Sequence, residues 1–114
     1  MSLEKVLRTL EGFGLSSVES EVYIYLAKAG PSKINHMANS LKITREQLLS
    51  ALRSLKKKGI VTARSKRAAL FSAIAFEELV KRYIKLNIEQ AEALQETRQE
   101  LLDSWRNMAK QSNN

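Results

Sequence analysis

Eight basic side chains crowd into residues 44–67: Arg45, Arg53, Lys56, Lys57, Lys58, Arg64, Lys66 and Arg67, against one acid, Glu46. Their net +7 equals the formal charge of the whole 114-residue chain, so the rest of the sequence is balanced. A cluster of this kind focuses a positive field, and the partner it selects is a polyanion, nucleic acid first. Other chemistry is poorly supplied. The chain has no Cys and a single His, His36, which leaves no thiolate metal site, no disulfide and no ordinary zinc site. No nucleophile–base pair and no glycine-rich phosphate loop is present, so an enzyme is not expected, nor a metal or cofactor.

The elements that must position these charges follow from spacing and caps. An apolar fraction of 44 % suits one modest core. No run approaches the roughly 20 apolar residues that span a membrane, and no signal segment opens the chain, so the expected location is cytoplasmic. Leu3, Val6, Leu7 and Leu10 predict a helix over 3–11, ended by Gly12-Phe13-Gly14. Ser16 and Glu19 form a capping box for a helix over 17–29, stopped by Gly30-Pro31. Ser32-Lys33-Ile34 reads as a short extended piece, with Asn35 as N-cap of a helix over 36–41. After the Lys42-Ile43 turn, Thr44 caps a helix over 45–58 and Gln47 returns the capping bond. Leu48, Leu52 and Leu55 face inward, and Gly59 ends the helix in a left-handed C-cap. Two strands, 60–64 and 69–74, follow, joined by the basic turn 65–68.

Two short helices around a tight turn, the second capped and basic, then a hairpin, make a winged helix-turn-helix. The fold class is mainly α with a small β-hairpin wing. In such a unit the second helix enters the major groove and the wing reaches flanking phosphates or the minor groove. The outward positions on helix 45–58 give Arg45, Gln47, Ser50 and Arg53 as base-contact candidates, since Arg can bridge guanine and Gln adenine. Lys57, Arg64, Lys66 and Arg67 are candidates for phosphate contact. Ser32, Lys33, Asn35 and Thr44 join them at helix starts, where backbone N–H groups favour an anion.

Residues 14–31 combine Gly14-Leu15-Ser16, Glu19, Val22-Tyr23, Leu26 and Gly30-Pro31. Ile43-Thr44-Arg45 then enters a helix closing on Leu52-Arg53-Ser54-Leu55-Lys56-Lys57-Lys58-Gly59-Ile60-Val61. In order and spacing this resembles the TrmB-like winged-helix domain, over roughly residues 3–80. The resemblance implies a prokaryotic, often archaeal, DNA-binding transcriptional regulator. Many members carry a large sugar-binding domain after the winged helix. This chain has no room for one, so a sugar response is not carried over. Lys33 and Asn35-His36 depart from the small residues usual after Gly-Pro and leave the DNA sequence open.

From 76 to 110 there is no Gly or Pro, which predicts one long helix, or two meeting near Asn87. Val80, Ile84, Ala91, Leu94, Leu101, Trp105 and Met108 recur at heptad spacing, with Asn87 and Arg98 in the same seam. This is expected to be a dimerisation helix. The expected organisation is thus a winged helix over 1–75, a pairing helix over 76–111 and a disordered tail at 112–114. The expected protein is a homodimeric, sequence-specific regulator bound to double-stranded DNA. A protein-interaction module and a non-specific architectural DNA binder are the alternatives. No convergent polar group near Tyr25, Phe76 and Tyr83 names an effector.

Overall fold

The computed structural model describes residues 3–64 and 70–112. Helices α1 (Leu3–Gly12), α2 (Ser17–Ala29), α3 (Ile34–Leu41) and α4 (Arg45–Lys57) are followed by a small sheet and by α5 (Phe76–Ser112). Strands β1 (Ser32–Lys33), β2 (Val61–Ala63) and β3 (Leu70–Ala73) form an antiparallel sheet in the order β1-β3-β2. Ala63 and Ser32 both pair with Phe71, so β3 is the centre strand. Beyond the ladder, the Arg64 N–H donates to the Leu70 carbonyl at 2.7 Å and closes the hairpin neck. The chain divides into two compact units, Met1–Val80 and Lys81–Asn114. Leu79, in the first turn of α5, is fully buried with the core of the first unit.

Helix starts and stops are set by local chemistry. Ser16 and Thr44 each accept from the backbone N–H three residues on, and Glu19 and Gln47 each accept back from the cap N–H. Three helix ends share one device, a six-to-one bond past a left-handed residue: Leu15 N–H to the Leu10 carbonyl, Ile43 to Ala38, and Ile60 to Leu55. Gly14 and Gly59 supply the left-handed position at the first and last of these. At the middle one it is Lys42, with φ of 55°. The residue after each turn is apolar, and Leu15 and Ile60 are buried in the core.

Two expectations, the Asn35 cap and the start of the tail, differ from the structure. Asn35 is not an N-cap: Lys33 stands at that position without a side-chain bond, and α3 begins at Ile34. Pairing of Lys33 with Leu70 holds the preceding backbone extended, so the helix starts directly off the strand. The long Gly- and Pro-free segment forms the single helix rather than two: α5 has 37 residues and is about 55 Å long. It also runs through Ser112, the first residue of the expected tail, whose remaining residues 113–114 lie outside those described.

The core packs Leu10, Val22, Tyr23, Leu26, Met37, Leu48, Leu52 and Leu55 around one another. Tyr23 is 1 % exposed, and its hydroxyl donates to the Ile74 carbonyl at 2.8 Å, which ties α2 to the end of β3. A second tie links α2 to α4. Glu19 Oε1 accepts from the Ser16 N–H, while Oε2 accepts from Ser54 Oγ and Lys58 Nζ, both at 2.8 Å. Lys58 Nζ also donates to the Gly14 carbonyl at 3.0 Å. Burial works against ionisation of Glu19. The hydrogen bonds from Lys58, Ser54 and Ser16 outweigh it and hold its carboxyl at about 2.

An unfolded glutamate titrates near 4.5. The Glu19 contribution is therefore complete above that pH and is lost as pH falls from 4.5 toward 2. Glu19→Gln is expected to cost on the order of 2 kcal/mol at neutral pH, because Lys58 loses its charge partner. It should also flatten the fall in stability across that acid window, read from urea unfolding at a series of pH values. An unchanged slope would mean that the carboxylate is not held as described.

Candidate nucleic-acid interface

The side chains that could meet a polyanion sit on the outward half of α4 and on the elements beside it. The buried stripe of α4 is Leu48, Ala51, Leu52 and Leu55. At 3.6 residues per turn, the row opposite that stripe is Glu46, Ser50, Arg53 and Lys57, all exposed. Three of the four basic or polar positions in this row are among the sequence candidates. Glu46 joins them at the N-terminal end of the row.

Arg45 and Gln47 lie at the margins of that face, and each is engaged. Gln47 Oε1 accepts from the Thr44 N–H at 3.0 Å, and the Gln47 N–H donates to Thr44 Oγ1 at 3.1 Å. Two-point recognition of adenine needs both the oxygen and the amino group of the amide, so it would compete with the cap. Arg45 reaches back across the turn and donates to Asn35 Oδ1 at 3.4 Å. This contact joins the first turns of α3 and α4. Ser50 and Gln47 also line a shallow groove of about 550 Å³ between α4 and the start of α2.

The other positions divide clearly. Lys33 and Asn35 are exposed, as are Lys57 and Arg64. Thr44 is exposed, and its oxygen accepts the cap bond. Ser32 is different: it is buried in β1, and its hydroxyl donates to the Gly30 carbonyl at 2.8 Å. Pairing with Phe71 turns it away from the surface, so it leaves the set of phosphate candidates. Lys66 and Arg67 lie outside the described residues. Lys58 belongs to the basic cluster of the sequence, but its charge is spent on Glu19. That partner lies 39 residues away, and only the packing of α2 on α4 brings the two together.

A cationic helix face, a capped turn, and a hairpin beside it are the parts of a winged helix-turn-helix. Residues 10–77 match the family described as sugar-specific transcriptional regulator TrmB. The chain belongs to the TrmB family. It is 31 % identical over 98 residues to the HTH-type sugar sensing transcriptional regulator TrmBL1 of Pyrococcus furiosus, an alignment covering 86 % of this chain. The chain spans 29 % of the length of that curated relative.

Among solved structures, the ST1889 protein of Sulfolobus tokodaii matches with a TM-score of 0.68 at 14 % identity, covering 82 % of this chain and 98 % of that one. TrmBL2, described as an archaeal chromatin protein with a novel mode of DNA binding, matches with a TM-score of 0.69 at 21 % identity. That match covers 90 % of this chain and 41 % of TrmBL2. Likeness at this identity is one of fold. The TrmB chain described here thus has the winged-helix fold of a DNA-binding transcriptional-regulator family, and that family is one of regulators rather than enzymes. Among the described residues, no helix is long and apolar enough to cross a membrane.

The caps at Thr44 set where the polar row of α4 begins. Thr44→Ala is expected to lower stability by about 1 kcal/mol. Gln47→Glu keeps the acceptor of the capping box and should hold stability within about 0.5 kcal/mol of the parent. Denaturant unfolding of both variants checks the pair. Equal losses would show that the box does not fix the helix start.

Proposed function

We propose that this chain is a sequence-specific, DNA-binding transcriptional regulator that acts as a cytoplasmic homodimer. The observation that carries the reading is the exposed row on α4, in which one acid stands among donors. Ser50, Arg53 and Lys57 offer hydrogen-bond donors and charge along two turns, and α4 has the dimensions to enter the major groove. Arg53 is the side chain placed to bridge guanine, with Ser50 beside it. Glu46 repels phosphate, so its place at the start of a cationic face has a cost for non-specific binding. The same carboxylate accepts from a cytosine amino group in the major groove, which makes it a reader of bases. Lys33, Asn35, Thr44, Lys57 and Arg64 would hold flanking phosphates, and the sequence adds Lys66 and Arg67 as further phosphate candidates.

Dimerisation places two such helices on one side of the duplex and calls for two half-sites about one helical turn apart or a multiple of it. The seam for it is the run Ile84, Ala91, Leu94, Leu101, Trp105 and Met108 on α5, with Val80 at its start. Of these, Ile84, Leu94, Leu101, Trp105 and Met108 are all more than half exposed in one chain.

One observation favours the architectural reading as the second choice. Gln47 is tied up in its cap and Arg45 in its contact with Asn35, which removes two base readers and leaves a mostly cationic face. Glu46 separates the two readings. Under the sequence-specific one, Glu46→Gln is expected to raise affinity for random DNA and to reduce the preference for a selected site. Lys57→Glu and Arg64→Glu should each weaken both and flatten the dependence of log K on log salt by about 1. Fluorescence anisotropy with selected and random duplexes at several salt concentrations reads all three. No preference for any selected sequence would favour the architectural binder, and binding that ignores salt would contradict a DNA function altogether.

A further inference from the structure

The long helix carries more than an apolar stripe: its polar seam residues specify an orientation and a register. In heptad order, Ile84, Ala91, Arg98 and Trp105 fall on one seam row of α5, and Asn87, Leu94, Leu101 and Met108 on the other. Asn87 and Arg98 are exposed, like the apolar residues on either side of them. Leu94, Arg98 and Leu101 line one shallow groove of about 340 Å³ with Gln95 and Leu102, so the guanidinium belongs to the same surface as the leucines.

The charges that could otherwise set orientation lie elsewhere on the helix. Lys85 pairs with Glu89 at 4.0 Å, and Asp103 accepts from Arg106 at 3.4 Å and from Gln99 at 3.1 Å, all along one chain. The positions flanking the seam from 88 onward are Ile88, Gln90, Gln95, Thr97, Leu102, Ser104 and Ala109, none of them charged. Flanking ion pairs therefore favour neither orientation, and the seam decides.

In a parallel pair in register, every seam residue meets its own copy. Asn87 against Asn87 is acceptable, because an amide both donates and accepts. Arg98 against Arg98 is not, since guanidinium groups only donate and carry like charge in a poorly hydrated layer. Ala91 against Ala91 would leave that layer underfilled. In an antiparallel pair each seam row meets the opposite row of the partner. One register then solves all the layers together. Arg98 faces the partner's Asn87, whose Oδ1 accepts from the guanidinium. Ala91 faces the partner's Leu94, small against large, and Ile84 faces the partner's Leu101. A slip of one heptad in either direction sets Arg98 against Leu94 or Val80 and separates it from its acceptor.

We propose that two copies of this chain pair antiparallel through α5 in this register, with two symmetric Arg98–Asn87 contacts fixing it. The inference rests on the homodimer reading above and adds its geometry. A polar layer in an apolar seam has the physical effect required: it weakens the pairing slightly and penalises every register that leaves it unmatched.

The absence of native Cys makes the test clean. Ile84→Cys and Leu101→Cys chains, mixed and oxidised, are expected to give a mixed disulfide dimer. Neither variant alone should cross-link, because like positions lie about 25 Å apart along the helix in this register. Gln90→Cys mixed with Thr97→Cys, on the uncharged flank, repeats the test without touching the seam. Light scattering on the unmodified chain accompanies both. A dimer in which Ile84→Cys or Leu101→Cys alone cross-links to itself would overturn the antiparallel arrangement. A dimer in which neither mixture cross-links would overturn the register. A monomer would overturn the homodimer reading itself.

Discussion

The carboxylate of Glu19 is the contact on which the placement of α4 depends. One oxygen closes the box at the start of α2, and the other gathers Ser54 and Lys58 from the last turns of α4. A buried acid is costly in isolation and stabilising when its lone pairs are met by a charge and by fixed donors. Here those donors come from two helices, so satisfying the charge fixes their relative position. The apolar stripe of α4 supplies most of the energy of packing but slides easily in direction. The clamp at Glu19 removes that freedom. It also fixes where the exposed row from Glu46 to Lys57 lies relative to α2, whose start shares a shallow groove with Glu46 and Ser50.

The same economy of local chemistry governs the turn between α3 and α4. Lys42 takes a left-handed conformation that costs a non-glycine residue about 1 kcal/mol. The six-to-one bond from Ile43 and the capping box at Thr44 offset that cost within three residues. Arg45 then crosses to Asn35 on the outside of the turn. The turn is therefore closed on both its inner and outer sides.

Much of this was legible in the sequence because caps and stops are local. Ser16 with Glu19, Thr44 with Gln47, and Gly59 announced three boundaries that the structure reproduces, and the leucine spacing of α4 announced its buried face. The failures share a physical cause. Asn35 has good capping chemistry, but a strand pair at Lys33 decided where α3 begins. Ser32 has a phosphate-binding hydroxyl, but its place in the sheet turned it inward. Lys58 counted as free charge until α2 packed against it. At Asn35, Ser32 and Lys58, tertiary or sheet contact overrides a local preference. The single long helix was legible too: Asn87 is polar in an apolar stripe, yet without Gly or Pro nearby nothing interrupts it. The unused oxygen of Glu19, already legible as half of a capping box, was the one hint that a donor had to be found for it.

The fixed outer row of α4 is proposed as the surface that meets DNA. The most direct test is to follow backbone amide resonances of the full chain while a duplex containing a selected site is added. The expected result is shifts concentrated at Glu46, Ser50, Arg53 and Lys57, joined by Lys33 and Arg64, with the seam of α5 from 84 to 108 unmoved. Shifts confined to α5, or a saturating complex that leaves α4 unchanged, would contradict it.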